Sequence, residues 1–245
     1  MPVGTFGESG GASGHSYSFT LAGVGSGAFT LASGTGPLST AAAGVPGPLS
    51  GASVQALTVQ VTDTTTGLTS NPLPFDVVVG SASGDTVNLA AGTGNLGIHP
   101  TTPTLVYGLG GNDTISATGL TGPVWLVGGP GGDTMTGGSG PNTYLYGATS
   151  ESTPGAGNFD IITNFNVTLD KLDLTGIGGP PLSFQTAQLA AATNIPVDTI
   201  AWQRSGGNTF VYANTSASPE AVGGANMMIE LAGSLTLTSA NVLHN

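Results

Sequence analysis

The sequence predicts an all-β protein, and three observations carry this prediction. Glycine and proline, with 42 and 16 of the 245 residues, are spread along the chain and separate short runs rich in valine and threonine. Such runs between turn-forming residues are typical of β-strands. Apolar residues also recur at nine-residue intervals in the middle of the chain, which is the period of stacked strand–turn units. Only 186–193, after Pro180 and Pro181, favours a helix.

We predict three regions: an N-terminal β-sandwich over 1–79, a parallel β-roll of the β-helix type over 80–146, and a C-terminal β cap over 147–245. In the first region, apolar and polar residues alternate, as in 54–61, and this pattern predicts half-buried strands. The strand rhythm resembles the cadherin-like and immunoglobulin-like sandwiches of bacterial surface proteins. The acidic motifs of true cadherins are missing, so we expect no metal site in this region.

The charge of the chain excludes two classes of partner. Lys171 and Arg204 are the only strong bases, against 13 acids, and the formal net charge is −11. Binding to nucleic acid or to an anionic membrane surface takes clustered lysine and arginine, so both partners are excluded. No run approaches the roughly 18 apolar residues of a membrane-spanning helix. Cysteine is absent, which excludes disulfides and thiolate metal sites. Divalent cations are the natural counter-charge.

The strongest motif is the nine-residue repeat G-G-x-G-x-D-x-U-x, in which U is apolar. Its copies begin at Gly80, Gly108, Gly119, Gly128 and Gly137. The eighth, apolar positions of the successive units are Val87, Leu96, Leu105, Ile115, Leu126, Met135 and Tyr144. We expect each unit to form a turn and a short strand, with the eighth residue facing inward onto its equivalents. A flexible Gly-rich linker, the alternative, would not keep this apolar period.

The turns of this repeat have the chemistry of a calcium site. Glycine allows positive φ, so that backbone carbonyls converge on a cation, and aspartate supplies the hard oxygen that Ca²⁺ prefers. Two units complete one coil, so equivalent turns recur at every second unit. Counted from Gly80, this places Asp113 and Asp133 on one side and Asp85, Pro103, Val124 and Asn142 on the other. The predicted calcium ligands are Gly108, Gly110, Gly111, Asp113, Gly128, Gly131 and Asp133.

These repeats resemble those of the RTX (repeats-in-toxin) family, and two later segments extend the resemblance. The segments 159–165 (FDIITNF) and 170–174 (DKLDL) are similar to those that close the roll in serralysin-type C-terminal regions. The resemblance implies that Asp160, Asp170 and Asp173 are further calcium ligands, with turn and capping acids as the alternative. Asn164 departs from the family, which usually has aspartate there. A roll that folds without calcium also stays open.

The resemblance further implies export. In the family, a type I secretion machine reads the C-terminal region, so 147–245 is interpreted as cap and secretion-signal region. Residues 1–14 have neither the basic nor the apolar part of an N-terminal signal peptide, which agrees with this route. We therefore expect an extracellular or cell-surface bacterial protein that becomes rigid when it binds calcium outside the cell.

No segment predicts catalysis. Residues 7–11 match G-x-S-x-G but lie in Gly-rich sequence, and the H-E-x-x-H of zinc peptidases is absent. We therefore predict that the chain is not an enzyme. The low lysine content resembles that of surface-layer proteins with RTX repeats and favours a structural protein of the cell surface or matrix, self-assembling through β edges into a layer or filament. The alternatives are an adhesin fragment that binds a glycan or host protein, and the C-terminal secretion and stability module of a larger hydrolase.

Overall fold

The computed structural model describes residues 2–5, 15–23, 29–31, 37–40, 53–89 and 98–244. These residues form strands and two short 3-10 helices, Thr149–Glu151 and Val222–Gly224, so the all-β prediction is confirmed. The strands are β1 (Pro2–Thr5), β2 (Tyr17–Gly23), β3 (Phe29–Leu31), β4 (Pro37–Thr40), β5 (Ser53–Asp63), β6 (Leu73–Val79), β7 (Thr86–Asn88), β8 (Thr104–Tyr107), β9 (Thr114–Ser116), β10 (Val124–Val127), β11 (Thr134–Thr136), β12 (Asn142–Leu145), β13 (Asp160–Ile162), β14 (Lys171–Asp173), β15 (Ser183–Phe184), β16 (Thr199–Ser205), β17 (Asn208–Asn214), β18 (Met227–Leu231) and β19 (Val242–Leu243). Within these ranges, no helix is long and apolar enough to cross a membrane.

Two eight-stranded sheets form the roll. Sheet I has the order β19-β14-β12-β10-β8-β6-β5-β2, and sheet II has the order β15-β16-β17-β18-β13-β11-β9-β7. From β6 to β14 the chain alternates between the sheets, and neighbouring strands in each sheet pair in parallel. The strands β18 and β19 later add one more parallel strand to each sheet. This alternation is the parallel β-roll that the nine-residue repeat predicts.

The core lies between the two sheets. It is formed by the inward side chains of successive strands, and the largest of them are fully buried because the coils stack directly on one another. The predicted inward residues found in this core are Val87, Ile115, Leu126, Met135 and Tyr144. The exception is β8, where Val106 faces the core and Leu105 does not, because the repeat count is one residue out of phase with this strand. Leu96 and residues 7–11 lie outside the described part of the chain.

The outer face of sheet I carries a second apolar cluster, formed by β5, β6, β8 and β10. Val77 and Val79 of β6 are buried in it, whereas Trp125 of β10 is 37% exposed. Sheet I contains β2, β5 and β6, which precede residue 80, together with later strands. It also contains strands from both sides of residue 146. The strands β1, β4 and β3 form a separate sheet. The N-terminal β-sandwich is not confirmed by this arrangement, and the boundaries at 79 and 146 stay predictions.

The C-terminal part extends sheet II with antiparallel strands. The strands β16 and β17 form a hairpin, and its two turn residues, Gly206 and Gly207, have φ of 61° and 90°. Positive φ at both positions is the requirement of a tight hairpin turn. The helix predicted over 186–193 is wrong: Leu189 is buried in an extended segment, and its N–H donates to the Trp202 carbonyl 2.8 Å away. Packing against sheet II therefore outweighs the helix propensity of a short alanine-rich run.

Close contact between turns makes one glycine a sharp test of the roll. Gly131 has a φ of 149°, and a Cβ there would lie 1.9 Å from the Gly111 carbonyl oxygen of the neighbouring coil. We expect Gly131→Ala to lower the free energy of unfolding by more than about 3 kcal/mol, since backbone strain and a backbone clash add. Gly157→Ala is the matched control, because Gly157 also has positive φ, 80°, but open space around it. Thermal unfolding followed by circular dichroism should show only a small loss for the control; equal losses would contradict this packing.

Candidate metal centre

Four aspartates stack along the edge of sheet II where turns lead into its strands. They are Asp85, Asp113, Asp133 and Asp160, which precede β7, β9 and β11 and begin β13. The backbone N–H of Asp85, Asp113 and Asp133 donates to Oδ1 of the next aspartate, at 2.7, 2.8 and 2.9 Å respectively. The stack ends at Ser152, whose Oγ accepts the N–H of Asp160 at 2.8 Å. The repeat thus ties one carboxylate oxygen of each coil to the backbone of its neighbour.

The second carboxylate oxygen of three of these aspartates has no partner. Oδ2 of Asp113, Asp133 and Asp160 is buried and makes no well-formed hydrogen bond; the buried Tyr146 hydroxyl lies beside Asp160 and acts against the rise that burial causes in its pKa. A buried carboxylate oxygen without a partner is costly, so these three atoms call for a cation or a proton. Asp85 differs, because it is half-buried and its Oδ2 accepts the N–H of Ser81 at 2.5 Å.

Backbone carbonyl oxygens lie beside these carboxylates. A Cβ on Gly108 would lie 2.3 Å from Oδ2 of Asp113 and 2.5 Å from the Gly128 carbonyl oxygen, so both oxygens face the same small space. A Cβ on Gly128 would lie 2.0 Å from Oδ2 of Asp133. Only glycine leaves this space open. In the described residues, no group of three or more His, Cys, Asp or Glu could hold a metal by itself. A cation here would therefore take many of its ligands from carbonyls, which suits Ca²⁺.

The stack is electrostatically unfavourable without a cation. Burial raises the pKa of Asp113 to about 6, of Asp133 to about 7 and of Asp160 to about 8, and the neighbouring carboxylates add to each rise. Burial also raises the pKa of Glu151, whose negative charge faces Asp133 and Asp160. Each of these shifts means that the folded state disfavours the ionised carboxylate.

The two bases of the chain are engaged elsewhere. Lys171 donates to the Ala240 carbonyl, and Arg204 donates to the Leu235 carbonyl and the Thr236 hydroxyl. The chain has no other lysine or arginine. Because neither base hydrogen bonds to the stack, the residues present fit a bound hard cation better than an internal ion pair.

The structure places the predicted ligands as follows. Asp113 and Asp133 are neighbours in the stack, with Gly108 and Gly128 beside their carboxylates. Gly110 and Gly111 form the intervening turn, and the N–H of Gly111 donates to the Pro130 carbonyl at 3.0 Å. Gly131 packs against that turn, with the close approach to Gly111 described above.

The remaining predicted acids do not share one site. Asp160 extends the stack, whereas Asp170 lies on the opposite edge, before β14 of sheet I. Asp173 is a turn acid, because its Oδ1 accepts the N–H and the hydroxyl of Thr175 at 3.0 and 2.6 Å. Glu151 and the capping Ser152 carry no sequence signal and were not predicted.

The side predicted for Asp85 is wrong. It lies on the same edge as Asp113, not opposite it. The sequence predicts two nine-residue units between β7 and β9, with Leu96 and Leu105 as their eighth residues, whereas β8 is the only strand that the described residues form there. One unit fewer changes the parity of the count.

A parallel β-roll with aspartates stacked along one edge defines a protein of the RTX type. The chain belongs to the family described as Peptidase M10 serralysin C terminal, which matches residues 70–241, more than half of the chain. The match includes the roll and the C-terminal strands, and the RTX resemblance is confirmed. RTX-type β-roll families bind calcium. No curated protein matches the chain.

Two solved structures are similar to the chain. One is the solution structure of the AlgE6R2 subunit from the Azotobacter vinelandii mannuronan C5-epimerase, with 26% identity, 67% of this chain and 90% of that chain covered, and a TM-score of 0.45. The other is the AlgE6R3 subunit of the same enzyme, with 22% identity, 67% and 80% covered, and a TM-score of 0.43.

The prediction that the chain is not an enzyme is contradicted by these structures, because both are subunits of an epimerase. The family description likewise names a peptidase. The prediction relied on missing catalytic motifs such as H-E-x-x-H. Missing motifs in one segment are no argument against an enzyme when this type of roll occurs as part of enzymes.

Proposed function

We propose that the chain is a calcium-stabilised β-roll module of an exported bacterial protein, and that Ca²⁺ bound along the stack of Asp113, Asp133 and Asp160 makes the roll rigid. The observation that carries the proposal is the set of three buried Oδ2 atoms without partners. The Gly128 carbonyl, which shares the small space beside Gly108 with Oδ2 of Asp113, is a neighbouring ligand. The acids left over from the stack, Asp170 and Asp173, are not assigned to it.

The chain's own residues explain why the roll depends on the cation. In the absence of metal, the stacked carboxylates of Asp113, Asp133 and Asp160 are buried beside one another, and folding must either ionise them in an apolar site or protonate them. Bound calcium supplies positive charge and joins turns of successive coils. At free calcium of about 100 times the dissociation constant, one site adds roughly 2.7 kcal/mol to the free energy of unfolding. That is a large share of the stability of an ordinary domain.

Family membership supports the export part of the proposal. By resemblance to serralysin-type C-terminal regions, the chain leaves the cell by type I secretion and works extracellularly or at the cell surface. Calcium is scarce in the cytosol and plentiful outside, so the acidic stack keeps the roll loose before export and lets it fold afterwards. The same membership favours a module that gives secretion and stability to a larger secreted hydrolase. The layer-forming and adhesin roles, and self-association through β edges, stay predictions.

A calcium titration tests the proposal. Isothermal titration calorimetry and circular dichroism, with Mg²⁺ as the competing cation, should show calcium binding together with a gain of β-structure or a rise in Tm. Asp113→Asn should weaken both effects, since it removes one stacked carboxylate. Asp173→Asn is the matched control, because Asp173 is a turn acid outside the stack. A chain that binds no calcium at millimolar concentration, and melts identically in EDTA, would end the proposal.

A further inference from the structure

The edge of the roll that leads into sheet I is built from amides. Asn142 begins β12 and holds the sixth position of its repeat, the position that Asp133 holds in the preceding unit. Asn142 is buried, with 1% of its surface exposed, and Asp170 stacks next to it in the following coil. This edge therefore has the same backbone arrangement as the aspartate stack but a different side chain at its centre.

The Asn142 side chain occupies the space where oxygens converge. Its Nδ2 donates to the carbonyls of Gly138 and Gly140, at 3.2 and 3.0 Å, and to Oδ1 of Asp170 at 2.9 Å. Its Oδ1 accepts the N–H of Gly138 at 2.8 Å. The amide nitrogen thus contacts two carbonyl oxygens of its own turn and one carboxylate oxygen of the next, which are the ligand types of a hard cation.

The carboxylate next to Asn142 is fully satisfied. Oδ1 of Asp170 also accepts the backbone N–H of Asn142 at 2.9 Å, and its Oδ2 accepts the N–H of Asn166 at 2.8 Å. Burial raises the pKa of Asp170, and the hydrogen bonds from Asn166 and Asn142 and the charge of Lys171 act against that rise. On the aspartate stack, in contrast, the Oδ2 atoms of Asp113 and Asp133 have no partner. The two edges differ in whether their buried oxygens need an ion.

Two more amides join turns along the same edge. Asn164 donates from Nδ2 to the Gly137 carbonyl at 2.9 Å and accepts the N–H of Gly137 at 2.8 Å. Asn241 donates from Nδ2 to the Val167 carbonyl at 2.7 Å. Successive turns before β12, β14 and β19 are therefore connected by amide hydrogen bonds. Asn164, which departs from the family's aspartate, acts here as a cross-link between coils.

We propose that Asn142 takes the place of a calcium ion on this edge, so that the sheet I edge is locked by a built-in amide and calcium controls the sheet II edge alone. The contrast rests on the proposed function, but the role of Asn142 does not. At Asn142 the roll then has one edge joined by side-chain amides and an opposite edge that depends on bound calcium. In calcium-free conditions the turns that contain Gly137, Asn142 and Asn164 keep their amide links while the aspartate stack loosens.

The substitution Asn142→Asp tests this by restoring a carboxylate. It is expected to bind about one calcium ion more per chain than the wild type in isothermal titration calorimetry. In EDTA it should lower Tm by on the order of 10 °C, since two carboxylates are then buried side by side, and millimolar calcium should recover this loss. Asn142→Ala also leaves the Gly138 and Gly140 carbonyls without their donor, but it supplies no ligand, so its loss of Tm should be equal in EDTA and in calcium.

Asn166→Asp is the matched control for added charge beside the same turn. Asn166 is exposed, and its Oδ1 acceptor role toward Thr168 is kept by aspartate, so calcium stoichiometry should equal that of the wild type. The inference is overturned if Asn142→Asp binds no additional ion, or if it stays unfolded in millimolar calcium where Asn142→Ala folds. Calcium binding by the wild type decides the proposed function separately, because this inference depends on the difference between variant and wild type.

Discussion

Asp133→Asn is expected to be more stable than the wild type in EDTA and less stable in calcium, so that the order of their Tm values reverses between the two buffers. Asparagine keeps the Oδ1 acceptor for the N–H of Asp113 but removes a buried charge whose folded pKa is about 7. Without metal, at pH 8, removing this unpaired charge should raise the free energy of unfolding by on the order of 2–4 kcal/mol. With calcium, the lost ligand should cost roughly 2–3 kcal/mol.

Differential scanning calorimetry at pH 8 in the two buffers measures both differences, each about 5–10 °C in a chain of this size. Asp173→Asn removes the same charge at a turn outside the stack and should show no reversal. A variant that is destabilised equally in both buffers would mean that Asp133 acts as a hydrogen-bonding residue without a cation. The reversal is diagnostic, because loss of packing alone lowers Tm in any buffer.

Lowering the pH is expected to stabilise the metal-free chain, so that protons substitute in part for bound calcium. Burial raises the folded pKa of Asp113, Asp133 and Asp160 to about 6, 7 and 8, above the ordinary value of 3.8, so the folded chain holds more protons than the unfolded chain in this window. Stability without metal therefore rises as the pH falls from about 8 toward about 4, and it is lost as the pH rises through the folded pKa values.

Thermal melts in EDTA across this pH range check the sign. In calcium the slope should weaken or reverse, since protons compete with the ion for the same carboxylates. Asp160→Asn should remove the upper part of the slope, because Asp160 has the highest of the three folded pKa values, about 8. A Tm that is flat or falls on acidification in EDTA would show that the stack is not protonated in the folded chain.

The nine-residue repeat predicted much of this fold. The prediction failed where the coils differ in length. The period identified the stacked core through residues such as Ile115 and Met135, and it placed Asp113 beside Asp133. It failed for Asp85 because coils differ in length: neighbouring aspartates of the stack are separated by 28 residues from Asp85 to Asp113 but by 20 from Asp113 to Asp133. A longer coil and an additional unit look alike in a Gly-rich sequence.

The role of the asparagine amides could not be predicted from the sequence, for a different reason. Asn142 and Asn164 look like degraded aspartates in the repeat, since the sequence shows only the loss of a carboxylate. Their roles depend on where the carbonyls of Gly137, Gly138 and Gly140 point, and carbonyl direction is set by the turns after folding. The acids of the repeat could thus be predicted from residue type, whereas the amide cross-links depend on how the turns are placed in the folded chain.

The large sequence separation of β18 from β13, and of β19 from β14, has a consequence for folding during synthesis. The strand β13 pairs with β18 through Asp160 and Ile229, which are 69 residues apart, and β14 pairs with β19 through Leu172 and Val242, which are 70 apart. Contacts this distant in sequence form slowly and only when both partners exist. Until β18 and β19 have been synthesised, β13 and β14 present open edges. The final coil can therefore close only after both later strands have joined the chain, whatever the ion concentration around it.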